Sequence, residues 1–241
     1  MNPSAQGPVT RIGIYGPDQA DGLQARGCGL WPVGNAASVT AAGGTPVPLQ
    51  LMHGCSWDEF LDDFDGVVFA GEQPISGRRQ AEGERLCEWC RELGLPLLAI
   101  DQGMHILNTT FGGTIHTDLP KELPQALQHR HPPEEGLRHA LAVVPGTHLA
   151  RFYGDGEIVV NSMHRHALNR VGRGFQVTGR ALDGVIESIE SETDEWFAMG
   201  VQWHPASATA SGLDIQLFRG FIDVCRERQA AAPAAPVRHA A

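Results

Sequence analysis

The segment from residue 95 to residue 111, LPLLAIDQGMHILNTTF, constrains this chain more than any other. Leu95–Ile100 is a continuous apolar run, the pattern of a strand buried on both faces at the centre of a parallel sheet. It ends at Asp101-Gln102-Gly103, and Met104–Phe111 then reads as a helix stopped by Gly112-Gly113. A strand that turns sharply into a helix lifts the turn residue clear of the sheet. It also aims backbone N–H groups at whatever lies above. In open α/β sheets the ligand crevice lies at these carboxyl ends of the strands. Asp101 is therefore the first candidate site residue.

Alternating strands and helices surround this elbow. Strands are expected at Arg11–Tyr15, Thr45–Leu49 and Gly66–Ala70, and helices at Gly34–Ala42, Trp57–Phe64 (opened by Ser56) and Arg78–Leu93. Beyond residue 137 the pattern becomes β-rich, with runs at His139–Val144, Ile158–Asn161, Phe175–Arg180, Val185–Glu190 and Phe197–Gln202. Gly212–Glu227 is a closing helix. Residues 120–137 are polar and rich in Pro and His, and read as a loop. The expected fold class is α/β, a mostly parallel central sheet flanked by helices with a small antiparallel β patch. One domain is expected over residues 9–229, with an Ala/Pro-rich disordered tail over 230–241.

Composition excludes several function classes. The formal net charge is −10, with no basic stripe for nucleic acid. No apolar run has the length of a membrane span, and the N-terminus does not read as a secretory signal, so a cytoplasmic protein is expected. The five cysteines are odd in number and do not suggest a disulfide framework. Cys87 and Cys90 form a C-x-x-C pair inside a helix rather than at its start, so they read as packed thiols.

Six segments in order resemble the class I glutamine amidotransferase superfamily, and within it the γ-glutamyl-γ-aminobutyrate hydrolase type, peptidase family C26. They are AAGGTPVPL (41–49), DGVVFAGEQP (65–74), GLPLLAIDQGMHILNTTFGGTIHTDL (94–119), VNSMHRHAL (160–168), DGVIESIE (183–190) and GVQWHP (200–205). The resemblance implies a flavodoxin-like fold and, in the family, a Cys–His–Glu triad that hydrolyses a γ-glutamyl amide. At this chain's matching positions the nucleophile is Asp101, the histidine is His204 and the acid is Ala206. His105 stands where the family carries Gln, and the V-N-S-x-H-H-Q segment reads His164-Arg165-His166. The catalytic candidates are then Asp101 and His204. Gly71, Glu72, Gln102, His105 and His164 are the candidates for lining a substrate pocket.

Aspartate does not replace cysteine in this chemistry. A carboxylate attacking an amide would form an anhydride. The tetrahedral intermediate would expel the carboxylate, of pKa about 4, before the amine. Three readings stay open. The preferred one is a pocket that binds a small amino-acid-like or γ-glutamyl metabolite without hydrolysis. In the second, Asp101 and His204 act as an acid/base pair on a C–N bond. In the third, Asp101, His105 and His204 hold a metal as a two-His-one-carboxylate set. No cofactor is expected otherwise, and a homodimer or a partner enzyme is left open. His116, His129, His131, His139 and His148 read as surface. His129 and His131 could mimic a metal pair, but they lie in the Pro-rich loop.

Overall fold

The computed structural model describes residues 9–16, 31–49, 61–71, 77–130 and 136–231. In chain order the elements are β1 (Arg11–Tyr15), α1 (Trp31–Ala41), β2 (Thr45–Pro48), β3 (Gly66–Gly71), α2 (Gly77–Glu92), β4 (Leu97–Asp101) and α3 (Gln102–Thr110). There follow β5 (Thr114–His116), α4 (Leu119–Glu122), β6 (Arg138–Val143), α5 (His148–Tyr153), β7 (Gly156–Asn161) and β8 (Ala167–Arg170). The chain closes with β9 (Phe175–Ala181), β10 (Ile186–Ser191), β11 (Ala198–Val201) and α6 (Ile215–Ala231).

All the strands join one sheet, in the order β2-β1-β3-β4-β11-β10-β9-β6-β7, with β8 paired to β10 and β5. β2, β1, β3, β4 and β11 run parallel. From β10 onward the pairing is antiparallel. Hence the antiparallel strands continue the parallel sheet edge to edge.

Side chains alternate across the central strands, so each strand feeds two cores. Val67, Phe69, Leu97 and Ala99 pack with Leu86, Cys87 and Cys90 of α2 and Ile106 and Leu107 of α3. Val68, Leu98 and Ile100 point the other way, towards Val39 of α1 and Leu217, Phe218, Phe221 and Ile222 of α6. β3 and β4 are buried at every position, which is why they read as unbroken apolar runs. α2 stops where Gly94 takes φ +58° and Leu95 N–H donates to the Cys90 carbonyl, a helix end that only a residue tolerant of positive φ closes cheaply.

Several elements differ from the sequence reading. β5, β8 and α5 are additional. The stretch read as loop begins with the helical turn α4. α6 runs to Ala231, two residues into the segment expected to be disordered, and residues 232–241 lie outside the described residues, as do Ser56 and residues 57–60 of the expected Trp57–Phe64 helix. No helix among the described residues is long and apolar enough to cross a membrane.

Candidate active site

β4 delivers Asp101 to the carboxyl edge of the sheet, and α3 starts at the next residue. Asp101 has φ 51° and ψ −112° and is the one described non-glycine residue with positive φ. Such a conformation costs of order 1–3 kcal/mol and persists only where the surroundings enforce it. Two glycines make the turn sterically possible. A Cβ on Gly103 would collide with the Phe69 carbonyl oxygen, and one on Gly71 would sit 2.7 Å from Gln102 Cβ. Gly71 lies on β3 directly beside Asp101 in the parallel register. Glu72, expected next to it, lies outside the described residues.

The Asp101 side chain is buried and does not cap α3. Instead Gln202 Nε2 donates to Asp101 Oδ1 at 2.7 Å. The other end of the same amide, Gln202 Oε1, lies 2.7 Å from His105 Nε2. Because Gln202 Oε1 can only accept, His105 carries its proton on Nε2. His105 Nδ1 is then the acceptor; Gln102 Oε1 lies 3.2 Å from it, and turning that amide over, an equivalent assignment, gives the nitrogen an NH2 donor. Burial, offset in part by Gln202, drives His105 down to about 3 and keeps its imidazole neutral. The chain His105–Gln202–Asp101 thus fixes one carboxylate oxygen in place.

His204 approaches the other oxygen, with Nε2 3.8 Å from Asp101 Oδ2. That is beyond hydrogen-bond reach. Burial, with His164 nearby, holds His204 down to about 3, so it is a neutral imidazole. Its position is set through its backbone. Asn161 Oδ1 accepts from His204 N at 2.9 Å, and Asn161 Nδ2 donates to the His204 carbonyl at 2.9 Å. Ala206, two residues on, is packed into the apolar layer under α6.

His164 stands between this elbow and a second cluster. Its Nδ1 donates to the His166 carbonyl at 2.8 Å, and its Nε2 is 3.4 Å from Glu187 Oε1. Burial alone would lower His164, but Glu187, the His166 carbonyl and Asp101 together raise it above its ordinary value. Glu187 also faces His129 Nδ1 at 3.4 Å and His139 Nε2 at 3.5 Å. Among the described residues, His129, His139, His164 and Glu187 are the group whose possible ligand atoms all converge, within 4.8 Å of one another. The trio Asp101, His105 and His204 does not form such a group, since the ring nitrogens of His105 face Gln102 and Gln202. His129 and His139, read from sequence as surface, are therefore interior residues. His116 and His148 are half-buried, against Glu122 and Glu190, and His131 is outside the described residues.

The family model for Peptidase C26 matches residues 12–206, most of the chain and every element just described from β1 to the His204 turn. The chain belongs to the peptidase C26 family. Its relatives include protein NtpR of Enterococcus hirae, 28% identical over 88% of this chain and 97% of that one. Another is the gamma-glutamyl-gamma-aminobutyrate hydrolase PuuD of Escherichia coli K12, 27% identical over 78% of this chain and 84% of that one. A solved Thermoplasma acidophilum structure, named for a GMP synthase, superposes with a TM-score of 0.68, over 93% of this chain and 98% of the other. At 16% identity that likeness speaks for the fold alone. This C26 chain is thus a glutamine amidotransferase-like, γ-glutamyl hydrolase-like protein whose elbow residue is an aspartate.

Sequence reasoning missed Gln202, Asn161, Glu187, His129 and His139. The first three lie inside segments that resemble the family. Their roles are tertiary, because each bonds or faces a residue at least 20 positions away.

Proposed function

We propose that this C26 protein binds a small amino-acid-like or γ-glutamyl metabolite at the elbow without thioester hydrolysis. The observation that carries the reading is Asp101 itself, strained onto the elbow and anchored by Gln202. A carboxylate here accepts hydrogen bonds and repels anions, so it favours a ligand that offers an ammonium or amide N–H group. It is a poor nucleophile towards an amide for the leaving-group reason given above. The three cysteines among the described residues are buried in the helical layers, far from the role of a thiolate nucleophile.

The 3.8 Å approach of His204 to Asp101 favours one second reading. A neutral His204 has a lone pair that can take a proton, and a water or substrate proton placed between it and Asp101 would complete a general-base pair.

Calorimetric titration with glutamine and with γ-glutamyl-γ-aminobutyrate tests the first reading. Binding without turnover is expected, weakened at least several-fold in Asp101→Asn. Turnover abolished by both Asp101→Asn and His204→Ala would replace it with the second reading. Turnover blocked by a thiol-alkylating reagent would overturn both. Asp101→Cys combined with Ala206→Glu restores the family's nucleophile and acid, and recovered γ-glutamyl hydrolysis would show a pocket still shaped for that substrate class.

A further inference from the structure

The four residues that meet beside the elbow come from four separate elements. His129 lies in the loop after α4, His139 on β6, His164 in the β7–β8 turn and Glu187 on β10. The pairing of β9 with β10 is irregular on both sides of Ser188, the residue after Glu187. Such bulges re-aim a side chain, and here the Glu187 carboxylate is fully buried with neither oxygen hydrogen-bonded. His139 Nε2 and His164 Nε2 are likewise buried without a hydrogen-bond partner. Buried carboxylates and imidazoles rarely stay unsatisfied: a proton, a bound water or a cation takes up their lone pairs, and a cation serves all four residues at once.

The outer hydrogen bonds fix which nitrogens point inward. His129 Nε2 donates to Asp183 Oδ2 at 2.9 Å, His164 Nδ1 to the His166 carbonyl at 2.8 Å, and His139 Nδ1 to the Ala140 carbonyl at 3.2 Å. Each partner only accepts, so each of these nitrogens carries the proton. In the neutral imidazoles the inward nitrogens, Nδ1 of His129 and Nε2 of His139 and His164, present lone pairs, and the proton that Glu187 favours on His164 is one a bound metal displaces. Ser162 Oγ does not quench His129 Nδ1, because it gives its proton to the His129 carbonyl at 2.8 Å. Three lone pairs and a carboxylate facing one another are all acceptors. A carbonyl or carboxylate on the far nitrogen of each imidazole is the usual outer support of a metal-bound histidine.

We propose that His129, His139, His164 and Glu187 form a closed, four-ligand site for a divalent transition metal of the zinc class. The Glu187–histidine separations of 3.4, 3.5 and 3.4 Å match the spacing of donor atoms that share one tetrahedral ion. Bonds of about 2.0–2.1 Å give ligand-to-ligand distances of roughly 3.4 Å. Nitrogen and carboxylate donors suit zinc rather than calcium or magnesium, which take oxygen ligands. Four protein ligands, all largely buried, make a structural site. The ion ties the loop after α4, β6 and the β7–β8 turn to β10, and so holds His164 beside the Asp101 elbow. The proposal does not rest on the function of Asp101.

The test uses the untagged full chain, stripped with a chelator and then given zinc. Elemental analysis is expected to find about one zinc per chain. Zinc is expected to raise the melting temperature by roughly 5–10 °C when present well above its dissociation constant. Cobalt substitution is expected to give the intense visible absorption of a tetrahedral site. Glu187→Gln, which keeps the side-chain shape, is expected to abolish all three signals. Asp183→Asn, which disturbs the support of His129 and the Leu127 and Val185 backbone bonds but no proposed ligand, is expected to weaken zinc binding by about 10–100-fold. Zinc uptake unchanged in Glu187→Gln would overturn the proposal. So would a wild-type chain that neither retains zinc nor melts differently with it. If Glu187→Gln does not fold, His139→Gln is read by the same outcomes. Ligand binding by the Asp101 variants is a separate measurement, so failure of one reading is distinguishable from failure of the other.

Discussion

Gln202 and Asp101 are joined across the β4–β11 boundary: the Gln202 amide donates to Asp101 Oδ1 at 2.7 Å, while its oxygen meets His105 Nε2. The two strands run parallel in register up to Ile100 and Val201, so their next residues meet side by side at the carboxyl edge. One side chain therefore serves the elbow carboxylate and the neighbouring helix at once. The Gln202 backbone N–H also donates to the Glu187 carbonyl at 2.8 Å, which links this relay to the histidine cluster.

Removing that amide should be felt on both sides. Gln202→Ala leaves a buried carboxylate oxygen and a buried imidazole N–H without their partners, and a loss of about 2 kcal/mol is expected in urea unfolding. Gln202→Glu sets two carboxylates against each other. The pair then has one pKa raised in the folded state, so its penalty should grow as pH rises from acid to neutral. A Gln202→Ala chain as stable as wild type would mean that the relay holds nothing in place.

The elbow itself offers a second test. Asp101 sits at φ 51°, where a Cβ is strained and glycine is not. Asp101→Gly and Asp101→Ala remove the same carboxylate, but only the first relieves the backbone. The glycine variant should be more stable than the alanine variant by roughly 1–2 kcal/mol. Equal stability would show that the positive φ at residue 101 carries no strain.

Much of this architecture was legible because burial on both faces leaves a plain mark. Arg11–Tyr15 is a strand at the expected bounds, and the apolar runs around Val68 and Leu98 became the central strands. The elbow was legible for the same reason, as one polar residue between an apolar strand and a helix. β5, with only three half-buried residues, and β8 have no such pattern and form by pairing with each other. α5 did carry a signal, since Thr147 caps it by accepting from Ala150 N–H. Its six residues were too few for helical periodicity to show. His129 and His139 looked like surface because their sequence neighbours are exposed. Their burial comes from β10, whose Glu187 is delivered from about 50 residues away through the β9–β10 irregularity.

The C-x-x-C pair makes a third prediction. Cys87 and Cys90 are fully buried on the sheet side of α2, and Cys225 on that of α6. Burial raises all three thiols above their ordinary range, so each stays protonated and unreactive. Mass spectrometry after brief iodoacetamide treatment of the native protein should find these three unmodified, and all three modified after denaturation. Rapid native labelling of Cys87 or Cys90 would return the pair to the class of redox motifs.

The last prediction concerns Glu122, which closes the turn between β5 and α4. Its carboxylate accepts from the Thr117 and Asp118 backbone N–H groups at 2.7 and 3.0 Å and lies 2.7 Å from His116 Nδ1. These bonds, that to His116 foremost, hold Glu122 down to about 2. The folded pKa is depressed, so whatever this cap contributes is present above the ordinary glutamate range and is lost as pH falls through about 2. The group is solvent-exposed, so the effect is local rather than global. The Thr117 and Asp118 amide proton shifts, followed by NMR as pH is lowered, should move with a midpoint near 2. In Glu122→Gln the neutral amide no longer accepts charge-assisted bonds, and the Thr117 shift should be flat over the same range. A midpoint at the ordinary glutamate value would mean that the carboxylate does not cap this turn in solution.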